Sequence, residues 1–172
     1  MSRSTEAPAA DASVGSPAGV PADDTARGDA GAAGGRGTSS GRSLRVLLYS
    51  DDSTTRDKVR LAVGRRPARD VSIESWFECA TGEMALRAAE HDDFDLLILD
   101  GEAGKVGGMG LARQLKNEVY DCPPILVLTG RPQDAWLAAW SMADLAVPHP
   151  LDPVVLAAAV AELGRRGAVA PA

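Results

Sequence analysis

Aromatic residues are scarce in this chain. Phe, Trp and Tyr make up 4% of its 172 residues, with Trp 3, Tyr 2 and Phe 2. Stacking on single-stranded nucleic acid needs more rings than that, so this mode is excluded. A basic excess is missing too. Lys+Arg 18 against Asp+Glu 24 leave a formal charge of −6. An acidic chain lacks the face that neutralises phosphates, so no nucleic-acid partner is expected. The two cysteines, Cys79 and Cys122, fit no zinc or redox spacing and read as small buried apolar residues. The two histidines, His91 and His149, are too few for a His-rich metal site. No apolar run approaches the roughly 20 residues that cross a bilayer, so direct membrane insertion is not expected. Arg3 is followed by no apolar stretch of a secretory leader, which makes the cytoplasm the expected compartment.

What is present divides at about Arg42. Residues 1–42 are rich in Ala, Gly, Ser and Pro and contain no Leu, Ile, Phe, Trp or Tyr. Such a stretch buries too little apolar surface to offset its ordering entropy, so a disordered tail is predicted there. A folded domain is predicted over 43–166, with a short flexible end at 167–172. Leu44 to Tyr49 reads as a buried strand, and Ser53-Thr54-Thr55 as the capped start of a helix through Val63. Val71 to Phe77 is a second strand. Thr81-Gly82-Glu83 opens a second helix, and Phe94 to Leu99 forms a third strand running into Asp100. A glycine-rich loop leads to a helix over Leu111–Val119, then a strand over Pro124–Leu128. Gln133–Ser141 is a helix and Asp144–Val147 a fifth strand. Asp152 caps a last helix, with Pro153 at its first position, ending near Arg165 or Arg166.

Strand and helix alternate five times. Apolar strands between amphipathic helices mean a parallel sheet covered on both faces, an open doubly wound α/β fold. In such folds ligands bind beyond the carboxyl ends of the strands. Asp51 and Asp52, Asp100, Thr129 and His149 stand at those ends. Asp51, Asp52 and Asp100 form an oxygen-ligand set suited to Mg²⁺. A carboxylate held against a metal can accept a phosphoryl group, and Thr129 offers that group a hydroxyl.

These segments resemble the receiver domain of two-component response regulators. The resemblance rests on Leu47-Leu48-Tyr49-Ser50-Asp51-Asp52, Phe94 to Asp100, the helix start at Gly108, Leu126-Val127-Leu128-Thr129-Gly130, and Val147-Pro148-His149-Pro150. It implies a flavodoxin/CheY-like fold of strand order 2-1-3-4-5 with five helices, and a signalling module rather than an enzyme. It makes Asp100 the phosphoacceptor, Thr129 the switch hydroxyl and Gly108 the glycine that opens the third helix. It also implies a histidine kinase as phosphodonor and Mg²⁺ as cofactor.

Several positions depart from the family. His149 stands where the family has a lysine on the phosphoryl group; it is shorter and a much weaker base. Ala146 replaces the switch aromatic, and Gly104 a usual proline. Counting back from Arg56 puts the acidic pair at Ser50 and Asp51. The expected reading is therefore a degenerate pseudo-receiver that works by protein binding, with phosphotransfer through Asp100 as the alternative. A nucleotide-binding flavodoxin-like domain is disfavoured, because Asp51 and Asp52 repel phosphate.

No output domain is expected after the last helix, so function is delivered through a protein partner. Trp136 and Trp140, four residues apart on one helical face, are either interface anchors or core. The last helix is apolar over more than one stripe, which leaves surface for a partner, and a homodimer through the last two helices stays open. The Leu48-Tyr49-Ser50-Asp51-Asp52, Asp100-Gly101-Glu102-Ala103 and His149-Pro150-Leu151-Asp152-Pro153 segments further resemble orphan receiver-only proteins of high-GC bacteria. That resemblance implies a connection with the respiratory NADH dehydrogenase complex.

Overall fold

The computed structural model describes residues 41–104 and 106–167. The expected tail therefore lies outside the described residues up to position 40, as does the C-terminal stretch beyond Gly167. Strands β1 (Arg42–Tyr49), β2 (Val71–Cys79), β3 (Leu96–Asp100), β4 (Ile125–Thr129) and β5 (Leu145–Pro148) alternate with helices α1 (Ser53–Val63), α2 (Gly82–His91), α3 (Gly108–Glu118), α4 (Ala135–Trp140) and α5 (Pro153–Arg166). The strands are parallel and ordered β2-β1-β3-β4-β5. This is the flavodoxin/CheY-like order.

The central strands explain the architecture. Every residue of β3 and β4 is buried. Side chains alternate across a strand, so each apolar run feeds two layers. Leu44, Val46, Leu48, Ile98, Leu126 and Leu128 pack with Val59 and Val63 of α1 and Leu156, Val160 and Leu163 of α5. Leu47, Tyr49, Leu97, Leu99, Ile125 and Val127 pack with Ala85 and Ala88 of α2 and Leu111 and Leu115 of α3. Each such fully buried leucine contributes about 1.5–3 kcal/mol.

Local signals place the element ends. Asp152 accepts from the amides of Val154 and Val155 at 2.8 and 3.1 Å, which caps α5 as the sequence suggests. The cap of α1 differs from expectation: it is Asp52, not the Ser53-Thr54-Thr55 hydroxyls. Helix α4 is also shorter than expected. A 3-10 turn, Pro132–Asp134, precedes it, so only six residues are α-helical. Strand β1 begins at Arg42, two residues early, because Arg42 pairs with Val71 and its guanidinium reaches Asp95 at 3.1 Å.

Candidate functional site

The carboxyl ends of β1 and β3 bring Ser50, Asp51 and Asp100 together around Tyr49. Asp100 is 4% exposed. Its Oδ2 accepts the Ser50 hydroxyl at 2.7 Å and its Oδ1 the Glu102 amide at 3.0 Å. Ser50 is fully buried, and its hydroxyl also accepts the Asp52 amide at 3.1 Å. Arg56 holds this turn from behind. Its Nη1 donates to the Ser50 carbonyl at 2.6 Å, while Nε pairs with Glu78 of β2. Tyr49 donates its hydroxyl to the Val106 carbonyl at 2.6 Å. Burial first, then the charges of Asp51 and Asp100, push that phenol above its ordinary value of 10.0.

The other two acids of this edge have partners of their own. Asp51 is exposed and accepts the Gly104 amide at 2.8 Å. Asp52 spends both oxygens on helix α1, accepting from the Thr54 amide at 2.8 Å and the Thr55 hydroxyl at 3.1 Å. The Thr54 amide, with Thr55 behind it, holds this carboxyl below its ordinary value. Among the described residues no three of His, Cys, Asp and Glu are grouped closely enough to hold a metal ion. The expected set of Asp51, Asp52 and Asp100 is thus divided. Asp52 serves as a helix cap, and a neutral hydroxyl rather than a carboxylate lies against Asp100. As they stand here, the residues do not fit a three-acid Mg²⁺ site.

Thr129 is buried, and its hydroxyl donates along the chain to the Arg131 carbonyl at 3.2 Å. His149 precedes a cis bond to Pro150, and its amide donates to the Thr129 carbonyl at 2.7 Å. Its half-buried side chain lines a groove of about 410 Å³ with Lys58, Leu61 and Leu151. Gly108 is required where α3 starts, because a Cβ there falls 2.5 Å from the Asp100 carbonyl.

Glu102 is a residue that sequence reasoning passed over. Its carboxylate covers Gly130, where an added Cβ would sit 2.5 Å from the Glu102 carboxyl carbon. A further negative group therefore stands against Gly130, the residue after Thr129. The signal was the pair of motifs Asp100-Gly101-Glu102 and Thr129-Gly130, which means little until β3 and β4 are known to be neighbours. On α4, Trp136 is 67% and Trp140 53% exposed, so neither is core. The Arg113 guanidinium lies over the Trp140 ring, 4.7 Å from its centroid.

Comparison with known proteins bears on the family and the fold. No family model matches the chain. A protein of Mycobacterium tuberculosis, named an uncharacterized response regulatory protein in two strains, is 53% identical over 126 residues. The match covers 73% of this chain and 95% of the relative. Among solved structures, the signal receiver domain of a histidine kinase from Syntrophus aciditrophicus superposes with TM-score 0.61 at 23% identity, covering 75% of this chain and 96% of that one. The receiver domain of the Francisella response regulator 1452 gives 0.59 at 17%, covering 72% and 98%. At such identities these two establish the fold alone.

Proposed function

Since the chain belongs to the response regulators and carries their receiver domain, we propose that it is a pseudo-receiver, a signalling module whose output is protein binding that does not await a phosphoryl group. The observation that carries this reading is the state of Asp100. Its carboxylate is buried, and each oxygen already accepts an internal hydrogen bond. A carboxylate engaged in this way is a poor nucleophile, because donated protons withdraw the charge that attack requires. Two further features oppose a phosphoryl dianion. His149 supplies no fixed ammonium, and Glu102 adds negative charge against Gly130, next in the chain to Thr129. Removing one such charge contact costs a few kcal/mol of transition-state stabilisation.

The partner face in this reading is α4, where Trp136 and Trp140 stand exposed. Large rings held outside the core are typical interface anchors. Resemblance to orphan receivers makes the respiratory NADH dehydrogenase complex the first partner to test, from its cytoplasmic side, with a histidine kinase as the competing partner.

The test is direct. The purified protein is incubated with acetyl phosphate and Mg²⁺, and intact masses of wild type and Asp100→Ala are recorded. The expected result is no phosphoryl increment in either, with equal capture of the purified complex by both. An increment in wild type alone would overturn the reading and make Asp100 a working phosphoacceptor.

A further inference from the structure

At the opposite end of the sheet one connection is locally basic, among loops that also carry acids. The connection between α1 and β2 reads Arg65-Arg66-Pro67-Ala68-Arg69, and all three arginines are exposed. Its backbone is pinned: the Ile73 amide donates to the Arg65 carbonyl at 2.9 Å and the Val71 amide to that of Ala68 at 3.3 Å. Pro67 also restricts Arg66 to extended conformations, so little loop entropy is left to lose on binding. Arg42, Arg60, Arg165 and Arg166, on the elements around the loop, each hold a carboxylate: Asp95, Glu78, Asp70 and Glu162. Among the described residues, Arg65, Arg66 and Arg69 hold none.

We infer that this loop is a docking site for an acidic segment of a partner protein, separate from the α4 face. Charge complementarity carries the choice of occupant. The cations here are all arginine, whose planar fork matches a carboxylate at two points. The chain shows that match one residue away, where Arg165 grips Asp70 through Nε at 2.7 Å and Nη2 at 2.8 Å. Beside the loop, Arg65 lines a groove of about 650 Å³ together with the apolar Leu61, Ile73 and Trp76 and the acidic Asp57 and Glu74. Asp57 and Glu74 repel a partner's carboxylates from the groove, which leaves them to Arg66 and Arg69 and the groove to an apolar side chain. The occupant is therefore an acidic stretch with one large apolar residue. The length of β1 separates this loop from Asp100 by about 25 Å, so an occupant here makes no contact with the acidic site.

The probe is a labelled glutamate peptide with one central leucine, titrated into the full chain at low salt and followed by anisotropy. A protein of net charge −6 repels such a peptide unless a local patch overrides the field. The expected result is saturable binding. Combined Arg65→Glu, Arg66→Glu and Arg69→Glu should weaken it at least about tenfold. The same three changed to lysine should weaken it less, since charge remains and the fork is lost. Circular dichroism confirms that the variants fold. Trp136→Ala with Trp140→Ala should bind the peptide like wild type, so this test is separate from that of the α4 face. Equal binding of a glutamine peptide, or unchanged binding by the charge-reversed variant, would overturn the inference. So would tighter binding to phosphatidylserine vesicles or to an RNA hairpin, which would make the loop a phosphate reader.

Discussion

Asp100 and Ser50 form one buried polar unit. The Ser50 hydroxyl, fully enclosed, donates to the carboxylate and accepts the Asp52 amide. Removing it strands groups on both sides. Ser50→Ala should cost about 1–3 kcal/mol, seen as a lower urea midpoint with an unchanged slope. Cys79 offers a second check at this scale. It is fully buried at the end of β2, and burial lifts its thiol from the ordinary 9.0 to about 11. The unfolded thiol ionises first, so this contribution to stability is complete below about pH 9 and is lost as pH rises to about 11. Urea midpoints measured across that window should fall more steeply for wild type than for Cys79→Ala. Thiol reagents should leave Cys79 unmodified in the native protein.

Helices α1, α2 and α5 owe their starts to single side chains. Thr81 accepts from the Met84 amide at the head of α2, and Asp152 from two amides at the head of α5. Asp152→Ala should lower stability by about 1 kcal/mol through loss of the cap, read as a drop in thermal midpoint. Helix α5 also carries Val154 and Val155 at 77% and 50% exposure. The excess apolar surface read from its sequence is therefore real. Helix α4 shows why an element can be shorter than its sequence signal. Its apolar residues suit a helix over Gln133–Ser141, but Pro132–Asp134 closes as a 3-10 turn first. Proline supplies the fixed φ but no amide donor there.

At the scale of the described domain, two apolar layers sandwich one sheet, and ion pairs distant in sequence close its far end. Arg165 meets Asp70, and Arg42 meets Asp95. The paired elements lie within 41–167, and we propose that this span is the folding unit. A chain trimmed to 41–167 should then unfold in one transition at the thermal midpoint of the full chain. A midpoint lowered by several degrees would show that the preceding residues contribute to the fold.

The order of elements, the parallel sheet and its two faces were legible in the sequence, because continuous apolar strands between amphipathic helices have few other ways to bury themselves. That Asp51, Asp52, Asp100, Thr129 and His149 stand at strand ends was legible too, since parallel strands place all their carboxyl ends on one edge. The role of each carboxylate was not. Asp51 and Asp52 are adjacent and chemically identical, yet one faces the Gly104 amide and the other caps α1. Glu102 reached Gly130, and Arg65, Arg66 and Arg69 were left without carboxylates, only when distant segments packed side by side. Patterns along a chain are set by local periodicity and burial. Which polar groups satisfy one another is set by three-dimensional neighbours, and that is where the character of this site was decided.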